Sequence, residues 1–307
     1  MLIALTGPCF VESMGPSPRV TRERAPSARP RCPTASYLKT SVVERYAIQT
    51  LFSLTRLGAV LTVAGAAVFL NTLGAFAYTS GSTGFDIGYL QCGTSYPTGS
   101  FGIVGTDSGW PFISSLHPGN PCLANEYARS NTPGLYVNTG FDPSYTDSNH
   151  TTSSCSTNSA TVTGTSSQKA AWAAGCSEAE KDLSYVTSVG IGNPAGWWLD
   201  VETSNSWCGQ SGTNCTDLSF NRYTIQGLID TLQLNSSSPI GIYSNTQQWT
   251  SIVGVLSVRG VSSDWYATGL RSGKRAPGYC GSSHSFSGAP VSLVQYVTSS
   301  ADRDYAC

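Results

Sequence analysis

The chain has 307 residues, and its 17 Lys and Arg residues nearly balance 18 Asp and Glu residues. Only 11% of the residues are charged, while Gly and aromatic residues are common, which is typical of an exported globular protein and not of a disordered one. Residues 1–77 hold eight of the 17 basic and three of the 18 acidic residues, so residues 78–307 carry nine basic and 15 acidic ones, a net charge of −6. An acidic body argues against a DNA or RNA partner.

The amino-terminal region does not resemble folded protein. Residues 15–34 are rich in Pro, Arg and Ser and have no apolar period. We interpret residues 1–50 as an extension that is either disordered or precedes the true start codon, and we favour the second interpretation.

The next segment has the features of an export signal. Arg56 precedes an apolar run from Leu57 to Leu73, and the small-residue sequence Ala75-Phe76-Ala77 follows. This order predicts a secretory signal peptide over residues 51–77, cleaved after Ala77. A single membrane anchor is the alternative, because about 20 apolar residues can span a bilayer. The Gly and Ala content and the A-x-A ending favour the signal, so we expect an extracellular protein with no membrane contact after cleavage.

The cysteines agree with export. Two of the ten lie in the region that would be removed, and eight remain: Cys92, Cys122, Cys155, Cys176, Cys208, Cys215, Cys280 and Cys307. An even set in an exported chain predicts disulfides, although eight cysteines allow 105 pairings. Pairing in sequence order closes the shortest loops, as 92–122, 155–176, 208–215 and 280–307. No C-x-x-C occurs and the three His residues are scattered, so we predict no metal and no cofactor.

The sequence pattern of residues 78–307 predicts strands that alternate with helices. The predicted strands are 85–88, 101–105, 134–138, 196–202, 239–244, 264–267 and 291–297. The predicted helices are 122–130, 168–189, 220–234 and 247–253, and the Ser- and Thr-rich stretch 142–168 is predicted to be an exposed, disulfide-tethered loop. Alternation of this kind indicates one α/β domain over residues 78–307, a TIM-like (β/α) barrel of either regular or irregular form.

The sequence Trp197-Trp198-Leu199-Asp200-Val201-Glu202 carries the strongest chemical signal. Residues i and i+2 of a strand point to the same side, so Asp200 and Glu202 share one face. Two crowded carboxylates are costly unless they are used, and paired carboxylates carry out glycoside hydrolysis.

Barrel geometry connects these acids with others. Active sites of such barrels lie at the carboxyl ends of the strands. Asp86, Asp200, Glu202 and the closing Asp302-Arg303-Asp304 all fall at or just beyond predicted strand ends. We therefore expect them to converge on one mouth. Four aromatic residues are predicted to line it and to contact the apolar faces of sugars: Trp198, Tyr243, Trp265 and Tyr296.

Several segments resemble one enzyme family in their order. They are Phe85-Asp86-Ile87, Trp198-Leu199-Asp200-Val201-Glu202, Ile240-Gly241-Ile242-Tyr243-Ser244, Trp265-Tyr266-Ala267, Gln295-Tyr296 and the terminal Asp-x-Asp. Together they resemble the family 25 glycoside hydrolases, the lysozymes that cut peptidoglycan. The cysteine-containing segments Gln91-Cys92-Gly93, Asn120-Pro121-Cys122-Leu123 and Tyr305-Ala306-Cys307 are most similar to the secreted, disulfide-rich actinobacterial glycoside-hydrolase-like branch.

The resemblance implies a role for each acid. Glu202 matches the general acid, and Asp200 matches the residue that stabilises positive charge or positions the substrate N-acetyl group. Asp86 matches the acid of the first strand. Asp302 best matches the acid of the last strand, but Asp304 faces the same side, and the choice between them stays open. Asp304 is therefore also expected to contact substrate.

These expectations give a function and its alternatives. The chain is predicted to be a secreted, monomeric glycoside hydrolase that acts on peptidoglycan or a related N-acetylated glycan by carboxylate acid catalysis. The first alternative is a catalytically silent barrel that binds cell-wall glycan. The second is an extracellular structural or interaction protein that reuses the fold.

Overall fold

Eight strands close into a barrel, and they follow one another around it in sequence order. The computed structural model describes residues 76–307, so the predicted extension 1–50 and all but the last two residues of the predicted signal peptide 51–77 lie outside the described residues. The strands are β1 (Thr83–Ile87), β2 (Gly102–Gly105), β3 (Gly134–Asn138), β4 (Trp197–Asp200), β5 (Ile240–Ser244), β6 (Ser263–Leu270), β7 (Val291–Val297) and β8 (Asp302–Ala306). The predicted α/β barrel is confirmed.

Helices cover the outside of this barrel unevenly. They are α1 (Leu123–Arg129), α2 (Ser153–Asn158), α3 (Ser166–Ser188), α4 (Leu218–Asn235) and α5 (Thr246–Val253). Only short 3-10 helices connect β1 with β2 and β6 with β7, and a turn alone connects β7 with β8, so the barrel is irregular. Within residues 76–307, none of the helices combines the length and the apolar character that crossing a bilayer requires.

The last strand differs from the other seven. Strands β1 to β7 pair in parallel, whereas β8 is antiparallel to both β1 and β7. Strand β8 was not predicted from the sequence, because Asp302-Arg303-Asp304-Tyr305-Ala306 contains no apolar run. Residues 142–168 were predicted to be an exposed loop. That expectation is wrong in part, because the segment contains α2 and Cys155 is fully buried.

The outward-facing residues of the strands form the larger core. Leu135, Val137 and Leu199 are fully buried and pack in one cluster with Ile225 and Leu228 of α4. Alternate residues of each strand therefore point away from the barrel axis, as the period of two requires. The remaining residues point inward and fill the barrel.

Aromatic rings fill the base of the barrel interior, where β1 to β7 begin. Phe76 stacks on Trp198 with ring centroids 4.1 Å apart, and Tyr78 stacks on Phe101 at 4.4 Å. Gly241 faces the Trp198 ring so closely that a Cβ at this position would overlap it. The base is thus closed by apolar packing, and the polar residues of the interior lie at the opposite end. Cleavage after Ala77 would remove Phe76 from this packing and leave Tyr78 in place.

Four disulfides tie the loops outside the barrel. They join the cysteines in sequence order, as Cys92–Cys122, Cys155–Cys176, Cys208–Cys215 and Cys280–Cys307. The pairing that closes the shortest loops is therefore confirmed.

Candidate active site

A cavity of about 190 Å³ opens at the carboxyl ends of the parallel strands. It is lined by Asp86, Tyr136, Asn138, Asp200, Glu202, Tyr243, Trp265, Gln295 and Asp302. The structure thus brings four predicted acids and two predicted aromatic residues together, from segments that are far apart in the sequence.

The acids of β4 enter the cavity because the strand alternates. Leu199 and Val201 join the outer core, whereas Trp198, Asp200 and Glu202 point inward. Past the end of β4 the turn is fixed by side chains. Asn205 donates from Nδ2 to the backbone oxygen of Asp200 at 3.0 Å, and Trp207 donates from Nε1 to that of Glu202 at 2.9 Å.

Asp200 is the most buried of the four acidic residues that line the cavity. Its side chain is 7% exposed, and Oδ1 has no hydrogen-bond partner among the described residues. Burial raises the pKa of Asp200 well above its ordinary value, and the charges of Glu202 and Asp107 raise it further. The protonated form of Asp200 is therefore favoured up to a higher pH than that of an ordinary aspartate, and Oδ1 itself is shielded from the cavity opening by burial.

Glu202 is only partly buried and has a side-chain partner. Gln248 donates from Nε2 to Oε1 of Glu202 at 3.3 Å. Burial raises the pKa of Glu202, the bond from Gln248 opposes this rise, and the charge of Asp302 adds to it. The net rise makes Glu202 a better proton donor near neutral pH than an ordinary glutamate.

A hydrogen-bonded chain links three strands inside the cavity. Tyr243 of β5 donates from its hydroxyl to Oε1 of Gln295 at 2.7 Å, and Gln295 of β7 donates from Nε2 to Oδ2 of Asp86 at 3.0 Å. Burial raises the pKa of Asp86 to about 7, the charge of Asp302 adds to the rise, and the bond from Gln295 opposes it. The N–H group of Gln295 therefore favours the ionised form of Asp86, against the larger effect of burial.

The antiparallel direction of β8 places its two aspartates at different depths. Asp302 begins β8 at the mouth and lines the cavity, and burial raises its pKa. Asp304 lies two residues deeper, is fully buried and accepts a 2.8 Å bond at Oδ1 from Nε1 of Trp265. These acids were predicted to lie at or beyond a strand end, whereas they belong to the beginning of a strand that runs from mouth to base.

Three of the predicted substrate-binding residues do not line the cavity. Asp304 lies beneath it, and Trp198 is fully buried in the aromatic base. Tyr296 packs on the outer face of β7 with Ala276. The physical reason for the last placement is alternation, because Gln295 points inward and its neighbour must point outward.

Sequence reasoning missed Tyr136, Asn138 and Gln295. Tyr136 and Asn138 occupy alternate positions at the end of β3, so the same i, i+2 rule that paired Asp200 with Glu202 identifies them. Asn138 is held firmly, because its backbone N and its Nδ2 both donate to the Asp107 carboxylate at 2.8 Å. Its side-chain oxygen is left for the cavity.

The residues that the structure describes contain one close group of potential metal-binding side chains. This group is formed by Cys155, Cys176 and Glu180. The two cysteines are joined in a disulfide, so neither offers the thiolate that a metal needs.

Comparisons with known proteins give distant structural similarities. No protein-family model matches the chain, and the search of curated proteins finds no match. The modular autolysin LytC of Streptococcus pneumoniae, solved in complex with a synthetic peptidoglycan ligand, is 11% identical with a TM-score of 0.39, over 73% of this chain and 45% of LytC. A second LytC structure gives the same values. The catalytic domain of endolysin ply40 from bacteriophage P40 of Listeria monocytogenes is 14% identical with a TM-score of 0.41, over 73% of this chain and 92% of that domain.

Proposed function

We propose that this chain is a glycoside hydrolase that acts on peptidoglycan or a related N-acetylated glycan, with Glu202 as the general acid. One observation carries the proposal. Four carboxyl side chains, from Asp86, Asp200, Glu202 and Asp302, line a single cavity at the end of the barrel where active sites of this fold lie. The glycan class comes from the ordered motifs that resemble the family 25 glycoside hydrolases.

The environments of the carboxyls support different roles. Glu202 is partly exposed and has a raised pKa, which suits transfer of its proton to the leaving glycosidic oxygen. Asp200 is more buried and lines the same cavity beside Glu202, which suits a positioning bond to the N-acetyl group of the substrate. Asp86 and Asp302 would supply negative charge beside the oxocarbenium-like transition state when they are ionised.

The cavity also suits a sugar in size and surface. A cavity of about 150 Å³ holds a six-membered ring such as benzene, so the 190 Å³ here fits about one pyranose ring. The partly buried ring of Tyr243 lines the cavity and packs on the buried ring of Trp265, with centroids 4.5 Å apart, and an aromatic face suits the C–H face of a sugar.

Export is part of the proposal. Four disulfides within one chain are typical of proteins that fold outside the reducing cytosol. A secreted monomer cleaved after Ala77 would meet wall glycan directly, and sequencing the amino terminus of the secreted protein tests this site.

The test of the proposed activity is Glu202→Gln, which keeps the shape of the side chain and removes its acid. Wild-type protein is expected to release reducing ends from purified peptidoglycan, and the variant is expected to lose at least about a hundredfold in rate. The matched control is Glu180→Gln, because Glu180 lies on α3, away from the cavity, and contacts Ser154. The control should keep wild-type activity.

Two results would count against hydrolysis. If the Glu202 variant releases reducing ends as fast as wild type, Glu202 is not the acid. If wild type releases none but sediments with insoluble peptidoglycan, the silent glycan-binding barrel is the better description.

A further inference from the structure

A group of exposed apolar side chains lies at the mouth of the barrel, outside the cavity. Trp110 is 52% exposed and Tyr89 is 37% exposed, and Leu90 and Leu116 are more exposed still. Tyr89 follows β1 and Trp110 follows β2, so both loops leave the carboxyl ends of their strands. We call Tyr89, Trp110 and His117 the rim platform. In the described part of the chain, the other large exposed apolar side chains are Leu234, Val255 and Leu256, in connections that lead to the base.

The rim platform is ordered by contacts of its own. The rings of Trp110 and His117 stack with centroids 4.8 Å apart and an interplanar angle of 27°. Ser114 fixes this loop, because its backbone N donates to the His117 oxygen at 2.8 Å and its Oγ accepts from the His117 N at 3.1 Å. The Tyr89 ring packs against Gly109, whose φ of +82° suits glycine. Because these contacts already hold the side chains in place, little side-chain conformational entropy is lost when a ligand binds to this flat surface.

The rim platform is joined directly to the cavity wall. Gly109 donates from its backbone N to Oδ1 of Asp107 at 2.8 Å, and the same carboxylate holds Asn138, which lines the cavity. Gly88, next to Tyr89, packs against the hydroxyl of Tyr136, another lining residue. A chain that leaves the cavity on the side of β1 to β3 therefore meets the rim platform.

The chemistry of this surface selects one class of ligand. From Gly88 to Pro121 the sequence contains one charged residue, Asp107, and its side chain is buried. The surface thus offers aromatic faces and uncharged polar groups, which match a sugar ring better than a charged peptide or an anionic polymer. The cavity accepts about one ring, so further rings of a polymer must lie on the surface outside it.

We propose that the rim platform is a second sugar subsite, which binds rings of a glycan chain that extend from the cavity across the ends of β1 and β2. This inference rests on the proposed function for its ligand class, but it requires binding only and not cleavage. The subsite would give the protein a preference for polymers over short fragments.

The test measures binding in a Glu202→Gln background, so that the polymer stays intact. The probes are insoluble peptidoglycan in a sedimentation assay and soluble chitin oligosaccharides of two and six rings in calorimetry. Trp110→Ala and Tyr89→Ala are each expected to weaken binding of the polymer and of the six-ring oligosaccharide about tenfold or more. The affinity for the two-ring oligosaccharide is expected to fall less, because one of its rings occupies the cavity and only one is left for the rim platform. Trp110→Phe keeps a planar ring and should restore most of the binding.

Leu234→Ala is the matched control, because it also removes an exposed apolar side chain, near the base. The proposal is overturned if Trp110→Ala and Tyr89→Ala bind polymer as the control does, or if the background protein binds no glycan at all. It is also overturned if the background protein is a dimer in solution that Trp110→Ala dissociates, since the surface then contacts a second copy. If Trp110→Ala and Tyr89→Ala weaken polymer binding but the wild-type protein, with Glu202 in place, cleaves no glycan, the subsite is supported and the hydrolase is refuted.

Discussion

Replacing Gln295 with Leu tests the hydrogen-bonded chain of the cavity. The substitution puts an apolar side chain in place of the amide and removes the N–H group that donates to Oδ2 of Asp86 at 3.0 Å. That bond favours the ionised carboxylate, so its loss raises the pKa of Asp86. A hydrogen bond to a charged group contributes about 1.5–3 kcal/mol, and one pKa unit corresponds to about 1.36 kcal/mol. We therefore expect the pKa of Asp86 to rise from about 7 by about one to two units.

The assay is a titration of the aspartate carboxyl carbons by ¹³C NMR, with the Asp86 signal assigned from its absence in Asp86→Asn. Tyr136→Phe is the control, because it removes a different polar group, a hydroxyl, from the cavity lining without removing the bond to Asp86. The control should move the pKa of Asp86 by much less than one unit. If Gln295→Leu leaves that pKa unchanged or lowers it, the amide of Gln295 does not set the ionisation of Asp86, and the reasoning is wrong.

Two further predictions concern stability. Glu178 is fully buried with Oε1 unpartnered and Thr139 bonded to Oε2, and burial next to Asp182 raises its pKa well above the ordinary 4.5. The unfolding free energy of the wild-type protein should therefore fall as the pH rises above about 4.5. The unfolding free energy of Glu178→Gln, measured by urea titration, should fall less between about pH 4 and pH 8. Equal pH slopes in the two proteins would contradict this. Replacing Cys280 and Cys307 by Ser opens a loop with a sequence separation of 27 and should lower the unfolding free energy by about 3–4 kcal/mol, whereas an unchanged urea midpoint would show that this tether adds no stability.

The parts of the fold that the sequence predicted best are those with strong local patterns. Strands β3 and β7 have the predicted bounds, because apolar and β-branched residues between turn residues identify them. Strand β8 could not be found in this way. It places Asp302 and Asp304 inside the barrel, where Trp265 of another strand donates to Oδ1 of the deeper one, and that partner is known only once the barrel has closed.

The candidate site was predictable to the same extent. Asp200 and Glu202 were paired correctly on one face because a polar and an apolar residue alternate there. In β7 both faces are apolar along much of the strand, since Leu293 points inward and Val294 packs outside. The pattern therefore gives no indication that Gln295, and not Tyr296, faces the cavity. In a strand that is buried on both faces, the packing partners on each side fix which residues point inward. The sequence of that strand alone does not contain this information.

The antiparallel course of β8 has a practical consequence for how the protein is handled. The backbone N of Cys307 donates to the oxygen of Ser292 at 2.9 Å, near the start of β7, so this residue lies at the base of the barrel. A purification handle or bead linker joined after Cys307 thus departs from the face opposite the carboxyl-lined opening. Protein immobilised through such a linker would point its opening toward the solution, where particles too large to diffuse into a matrix can still reach it.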